Sequence, residues 1–213
     1  MDSEAISSRV ELEALHEAGC RLSMDEYMEL ALGRTDEDAI WAGIAETWGA
    51  ALPPGFGEAL RSRVAKALEN ELEPIDGARE ILLGLPYPKC VASAATSKRL
   101  ELTLSITGLD HLLEGKCFSG SMVEKSKPAP DLFLLAADKM GHTPEKCLVV
   151  EDSVNGVKAA VGAGMTVLGF TGASHCQPGI NDVLTSLGCR EVFSNLRELP
   201  NLISLYKEEL SRV

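Results

Sequence analysis

The sequence contains no apolar stretch that reaches the roughly 18 residues a membrane span requires. Its opening segment, MDSEAISSR, lacks the apolar region of a secretory signal. The six cysteines, at positions 20, 90, 117, 147, 176 and 189, include no Cys-x-x-Cys pair and show no metal-ligand clustering. Most of them lie in or beside apolar segments. We therefore expect reduced thiols and a cytoplasmic location rather than a disulfide framework.

Positive charge is also scarce, and the formal net charge is -12. This balance argues against nucleic acid or an anionic membrane as a partner, because a phosphate backbone requires a basic surface. A small phosphorylated metabolite stays compatible, since one local cation and a metal are enough to bind it. With 213 residues, the chain is long enough to bury a core, either as one large domain or as a core with an inserted module. The pattern leaves the oligomeric state open.

The spacing of apolar residues divides the chain into two regions. Helical spacing covers 5–19, 24–32, 38–48 and 56–72, with interruptions at Gly33, Pro53 and Pro54. After the PIDG segment at 74–77, predicted strands at 89–93, 116–119, 147–150, 165–170 and 191–193 alternate with helices. This alternation predicts an α/β core with a doubly wound parallel sheet. We therefore predict a helical module at 4–73 and an α/β core formed by 1–3 and 74–213, with a polar loop at 171–179 beside the site.

Two adjacent carboxylates, Glu151 and Asp152, follow a predicted strand and precede a helix rich in small residues. In open α/β sheets, ligands gather at the carboxyl ends of the strands. Neighbouring carboxylates repel each other unless a cation or hydrogen-bond donors compensate, so a hard metal such as Mg²⁺ is a natural partner. The alternative is that Asp152 or Ser153 simply caps the following helix.

Two further strand ends carry polar groups. Ser93, in the segment VASAAT at 91–96, brings a hydroxyl and backbone N–H groups to the start of a helix, which suits an anion. The alternative there is a routine helix cap. In KSKPAPD at 125–131, two prolines can hold one lysine in a set direction, although a lone lysine is otherwise solvent-exposed surface. Together with the acidic pair, these residues form a plausible site for phosphate and Mg²⁺.

Ser93, the segment KPAPD at 127–131 and the segment EDSVNG at 151–156 resemble, in order and spacing, the second, third and fourth motifs of the haloacid dehalogenase-like hydrolases. The resemblance covers essentially the whole chain. It is strongest to the branch with a helical cap, which includes β-phosphoglucomutase and many sugar-phosphate phosphatases, and the helical module matches that cap. Two short segments, SEAISSR at 3–9 and ELEPIDGA at 71–78, are weakly similar to 6-phosphogluconate phosphatases.

The resemblance implies a Mg²⁺-dependent phosphatase that acts on a small phosphorylated sugar or sugar acid through an aspartyl-phosphate. It makes Asp152 a Mg²⁺ ligand supported by Glu151. It assigns Ser93, with the Ala94 amide, to the transferring phosphoryl group, and Lys127 to neutralising that group and orienting the nucleophile.

One further position follows from the resemblance with an alternative left open. Arg34 lies at a turn of the helical module where relatives often recognise substrate, and it would there reach a distal anionic group. The alternative is an exposed arginine at a helix end.

The first motif of the family is incomplete in this chain. That motif is a strand followed by Asp-x-Asp-Gly-x-x-x-Asp-Ser-Glu, and Asp2, Ser3 and Glu4 match only its tail. The nucleophilic and acid/base aspartates of the pattern would precede Asp2. We expect the central first strand to be missing, which would leave two neighbouring strands with unpaired edges. We also expect an authentic product that starts roughly 10 to 20 residues upstream, which is enough for a buried strand and the motif.

Other functions are compatible with the same motifs. A phosphomutase of the β-phosphoglucomutase type would use the same scaffold and differ in how the cap excludes water. A catalytically inactive anion-binding or interaction protein would keep the pocket without the nucleophile. Dehalogenase chemistry is disfavoured, because the KPAP and Glu-Asp pattern suits the phosphatase branch.

Overall fold

The computed structural model describes residues 1–31, 37–113 and 115–211, with side chains as far as residue 207. These residues form two compact units, one of Asp2–Glu73 and one of Met1 together with Pro74–Val213. Within the described ranges, no helix is both long and apolar enough to cross a lipid bilayer. The assignment of the two units as cap and catalytic core stays a prediction.

The smaller unit is built from four helices, as the apolar spacing predicts. They are α1 (Ser3–Glu17), α2 (Met24–Ala31), α3 (Glu37–Thr47) and α4 (Phe56–Glu71). Leu15, Trp41 and Leu60 are among the fully buried side chains of its core. Inside this core the hydroxyl of Tyr27 donates to the carboxylate of Glu11. This hydrogen bond offsets part of the free-energy cost of burying two polar groups.

The larger unit alternates strands with helices. Its strands are β1 (Val91–Ser93), β2 (Cys117–Ser119), β3 (Leu148–Glu151), β4 (Thr166–Phe170) and β5 (Glu191–Phe193). Its helices are α5 (Ala78–Gly84), α6 (Ser97–Ile106), α7 (Asp131–Met140), α8 (Val154–Gly162), α9 (Ile180–Ser186) and α10 (Leu199–Ser211). All the strand pairs are parallel, which confirms the predicted α/β class. Strand β3 ends at Glu151, one residue later than predicted, so the first of the two carboxylates belongs to the strand.

Helices cover both faces of the three-stranded part of the sheet. On one face, Val157 of α8 and Leu184 of α9 share an apolar cluster with Val167 of β4. On the other face, Leu168 of β4 lies in a cluster with Leu199 of α10. Alternate residues of β4 therefore point into two different cores, as a strand buried on both faces requires. The unit is thus doubly wound, as predicted.

The strands form two sheets instead of one continuous sheet. Strand β1 pairs with β2, whereas β3, β4 and β5 form a second sheet in that order. In the portion of the chain described above, no strand pairs with the remaining edge of β1 or of β3. All residues of β3 are only half-buried, whereas β4, which has a neighbour on each side, is buried over four of its five residues. This is the arrangement expected of a parallel sheet that lacks a central strand.

Helix α9 is missing from the elements predicted above from the sequence. It has only two turns, and Leu184 is its one buried residue. Helical spacing nevertheless links Ile180, Val183, Leu184 and Leu187. Ile180 and Leu187 pack against the apolar cluster of Leu184, so the sequence does carry a signal for this helix. The loop at 171–179 that precedes α9 is a loop in the structure, as predicted.

Candidate active site

Polar residues from three segments lie at the carboxyl ends of the parallel strands. Ser93 ends β1, Glu151 ends β3, and Asp152 follows immediately. Lys127 lies in the loop between β2 and α7. The strands within each sheet are parallel, and Lys127 contacts both Ala92 of β1 and Glu151 of β3. The carboxyl ends of the two sheets therefore lie side by side, where α/β proteins bind ligands.

Lys127 connects the ends of the two sheets. Its ammonium donates to Oε2 of Glu151 at 2.7 Å and to the carbonyl oxygen of Ala92 at 3.1 Å. It also lies 4.6 Å from the centre of the Phe133 ring, a distance at which a cation is attracted to the ring face. Only 8% of the Lys127 residue is exposed. This lysine is therefore held in one direction by three contacts and is not the solvent-exposed surface lysine that the sequence left as an alternative.

Glu151 is held on both of its carboxylate oxygens. Oε2 accepts from Lys127, and Oε1 accepts from the hydroxyl of Ser153 at 2.8 Å. The carboxylate lies directly against α8 at Gly156, where an added Cβ atom would be 1.9 Å from the carboxyl carbon. Only glycine therefore fits at position 156 without displacing Glu151. Both oxygens of Glu151 are therefore engaged by protein donors, and its role in supporting a metal stays a prediction.

The helix cap beside the acidic pair is Ser153. Its hydroxyl oxygen accepts the N–H of Gly156 at 3.0 Å, which is the side-chain cap of α8. The alternative that Ser153 caps the helix is therefore correct, and it leaves the carboxylate of Asp152 available for another role.

Asp152 carries the least compensated charge at this edge. Burial, and then repulsion by Glu151, raise the pKa of Asp152, whereas His175 and Lys127 act in the opposite direction. Oδ2 of Asp152 lies 3.7 Å from Nε2 of His175, which is beyond hydrogen-bond distance. A carboxylate in this situation favours a bound cation, because the cation would stabilise its ionised form.

The residues present are compatible with Mg²⁺ at Asp152. Among the described residues, no group of three or more His, Cys, Asp or Glu side chains is arranged to hold a metal ion. Mg²⁺ does not require such a cage, since it usually keeps several waters and binds through one or two carboxylates and substrate phosphate. Asp152 therefore fits as a protein ligand for Mg²⁺, with water or substrate supplying the remaining positions.

The hydroxyl at the end of β1 is oriented by the following loop. Ser93 Oγ accepts the N–H of Ala95 at 3.2 Å, which leaves its own proton available to donate to an anion. The cap of α6 is Thr96, whose hydroxyl accepts from Arg99, so Ser93 is not the routine cap of that helix. The phosphate-binding role of Ser93 and of the Ala94 amide stays a prediction.

Of two further candidate residues, Arg34 and His175, the structure describes only His175. Arg34, the predicted substrate-recognition residue, lies outside the described residues. His175, which the sequence placed only within a polar loop, lies next to Asp152. The sequence gives one indication that His175 belongs to the site: its loop follows the carboxyl end of β4, where ligands gather.

A buried lysine, an acidic pair and a strand-end hydroxyl lie together at the carboxyl ends of the parallel strands of an α/β protein, the position at which such proteins bind ligands. A family model described as haloacid dehalogenase-like hydrolase matches residues 8–164. The chain therefore belongs to the haloacid dehalogenase-like hydrolase family.

Individual relatives match nearly the whole chain. The 6-phosphogluconate phosphatase of Escherichia coli K12 is 30% identical over 203 residues, covering 95% of this chain and 89% of that protein. The structure of a haloacid dehalogenase-like protein of unknown function from Agrobacterium tumefaciens has a TM-score of 0.82 and 34% identity, covering 97% of this chain and 93% of that one. A family hydrolase from Deinococcus radiodurans, solved with bound phosphate and sodium, has a TM-score of 0.75 and 32% identity, covering 98% and 91%. Along almost its full length, the chain resembles a phosphoric monoester hydrolase.

Proposed function

We propose that this protein hydrolyses the phosphate ester of a small sugar or sugar acid in a Mg²⁺-dependent reaction. The observation that carries the proposal is the Lys127–Glu151 pair at the carboxyl edge of the strands, with Asp152 beside it. The similarity to 6-phosphogluconate phosphatase supports the substrate class. The phosphate bound to the Deinococcus radiodurans relative supports a site for a phosphoryl group.

The charges at the site explain why a cation is needed. Lys127 and Glu151 neutralise each other as an ion pair 2.7 Å long, so Asp152 leaves the edge with a net negative charge. A phosphate ester is itself an anion and would be repelled. Mg²⁺ held by Asp152 would supply the positive charge that binds the phosphoryl group and stabilises charge on its oxygens.

The remaining residues position the phosphoryl group. Ser93 and the Ala94 amide would donate hydrogen bonds to its oxygens, and Lys127 would direct its positive charge toward them. Glu151 supports the site by keeping Lys127 in place. Positioning and charge stabilisation supply most of the acceleration in phosphoryl transfer, so these roles suit the reaction.

A route through an aspartyl-phosphate also requires a carboxylate nucleophile. Of the two carboxylates described at this edge, Glu151 is engaged by two donors and Asp152 is assigned to the cation. Among the residues that the structure describes, one edge of β1 and one edge of β3 have no neighbouring strand, and these edges would accept a parallel strand whose carboxyl end would lie near Lys127. We place the nucleophilic aspartate at the end of such a strand, where the first motif of the family would supply it.

The test is phosphate release from a panel of phosphorylated sugars and sugar acids, with Mg²⁺ and with EDTA. The chain is assayed alone and preceded by a strand that ends in Asp-x-Asp. We expect Mg²⁺-dependent hydrolysis by the extended form and its loss in Asp152→Asn. Isomerisation of a substrate without phosphate release would instead identify a phosphomutase. A folded extended form without activity on the whole panel would contradict the proposal.

An inactive anion-binding protein is the second candidate. It is favoured because neither of the two described carboxylates at this edge is left to act as the nucleophile: Glu151 is engaged by Lys127 and Ser153, and Asp152 is assigned to the cation. Such a protein would bind phosphate esters, lose that binding in Ser93→Ala, and leave the esters intact in both forms.

A further inference from the structure

The loop at 171–179 is anchored so that its middle lies over the acidic pair. Thr171 donates its backbone N–H to the carbonyl of Phe193 at 2.8 Å, and Ala173 is buried. Gly172 passes so close to the neighbouring chain that an added Cβ would lie 2.1 Å from the carbonyl oxygen of Ser194. The first half of the loop is therefore fixed against the segment that follows β5.

The second anchor of the loop is Cys176. Its backbone N–H donates to the carbonyl of Ala173 at 3.1 Å. Its sulfur lies 4.0 Å from the backbone oxygen of Asp152 and 3.9 Å from that of Phe170. His175 lies between these anchors, so the backbone carries its ring to Asp152.

The geometry of His175 and Asp152 differs from that of a hydrogen-bonded pair. The distance from Nε2 to Oδ2 is 3.7 Å, and the side chains are 17% and 36% exposed respectively. The ammonium of Lys127, which also lies at this edge, is engaged by Glu151 and Ala92. Two ligands bonded to one metal ion at about 2.1 Å lie about 3.0 Å apart at a right angle and about 3.4 Å apart at a tetrahedral angle. The distance of 3.7 Å would have to shorten by about 0.3 Å for a tetrahedral angle, or by about 0.7 Å for a right angle, to bring both atoms onto one ion.

We propose that His175 is a second protein ligand, with Asp152, for the divalent cation of this site. The inference rests on the proposed function, which supplies the cation. Imidazole nitrogen is a better ligand for first-row transition metals than for Mg²⁺, and even Mn²⁺, which binds most weakly of that series, accepts nitrogen more readily than Mg²⁺, which prefers oxygen ligands. His175 therefore gives the site a stronger preference for Mn²⁺ over Mg²⁺ than the carboxylate alone would give.

A positioning role for His175 leads to a different result. If the ring only oriented Asp152 from outside the coordination sphere, its removal would lower the affinity for both cations to a similar extent. If the ring is a ligand, its removal lowers mainly the affinity for Mn²⁺, because only Mn²⁺ gains appreciably from the nitrogen.

The experiment measures cation binding by the full chain without substrate. Free Mn²⁺ is followed by electron paramagnetic resonance, and Mg²⁺ affinity is obtained by competition. We expect His175→Ala to lower the affinity for Mn²⁺ about tenfold or more and the affinity for Mg²⁺ by less than about threefold. Pulsed spectra of bound Mn²⁺ should show nitrogen coupling that disappears in this variant. His142→Ala, which removes an exposed histidine, is the matched control and should change neither affinity.

The outcomes separate the two proposals. Equal weakening of both cations, or unchanged Mn²⁺ binding in a folded His175→Ala variant, would overturn the ligand role while leaving the cation site intact. Asp152→Asn should abolish binding of both ions. Wild-type protein that binds neither ion would overturn the cation site itself, and the ligand role with it.

Discussion

Replacing Gly156 by alanine tests whether Glu151 keeps its contacts only because residue 156 has no Cβ atom. Gly156 lies in α8, where alanine is normally better than glycine by about 0.5–1 kcal/mol. Here the new Cβ would lie 1.9 Å from the carboxyl carbon of Glu151, which is 10% exposed and bonded to Lys127 and Ser153. Either Glu151 or the helix must move, and the contacts of the carboxylate are lost.

The expected loss of stability follows from the buried ion pair. Breaking such a pair and leaving one charge unpaired costs about 3–5 kcal/mol. Subtracting the gain in helix propensity leaves a net loss of about 2–4 kcal/mol. For a chain of this size, each kcal/mol corresponds to about 2–4 °C in Tm. We therefore expect Gly156→Ala to lower Tm by roughly 5–15 °C.

Calorimetry and urea unfolding would measure the effect against a matched control. Gly162 ends the same helix, and its added Cβ would lie 3.9 Å from Pro130, an ordinary contact. Gly162→Ala should therefore be neutral or slightly stabilising. The decisive comparison is Gly156→Ala in a Glu151→Ala background, where the obstacle is absent and the substitution should cost little. An equal loss of stability in both backgrounds would show that Glu151 is not the reason for the glycine.

Three further predictions concern single polar groups. The pKa of Asp152 is raised above its ordinary value of 3.8, so above pH 3.8 the folded state binds more protons than the unfolded state. The ionised carboxyl therefore destabilises the fold increasingly as pH rises from 3.8 through the folded pKa. In EDTA, Asp152→Asn should therefore melt above wild type at neutral pH, with the difference shrinking as pH falls toward 3.8; a constant difference would contradict this. Lys127→Met leaves Glu151 buried without its cation and should destabilise the larger unit by about 3–5 kcal/mol in urea unfolding. Lys158→Met, at an exposed position of α8, is the control and should not. Tyr27→Phe removes the donor to buried Glu11 and should cost about 1–3 kcal/mol, compared with almost nothing for Tyr87→Phe at a more exposed position; equal effects would refute the role of that hydrogen bond.

Local patterns predicted most of the elements, because they act within a few residues of one another. The apolar run before Glu151 predicted β3, and Gly141, with φ of 73°, ends α7 as the sequence indicates. The same patterns predicted which polar residues lie at strand ends, since a parallel sheet brings those ends to one edge. The gap between the two sheets was expected from the family resemblance and not from local patterns.

The functions of individual groups at that edge depended on tertiary contacts. The sequence alone determined that Glu151 and Asp152 are adjacent carboxylates at a strand end, and that Lys127 lies in a rigid loop. Only the tertiary structure decided that Lys127 pairs with Glu151, that Ser153 is the helix cap, and that His175 approaches Asp152. These partners lie many residues apart or on opposite sides of a turn, and no local periodicity encodes which of them meet. The different contacts that Glu151 and Asp152 make are therefore a property of the folded chain.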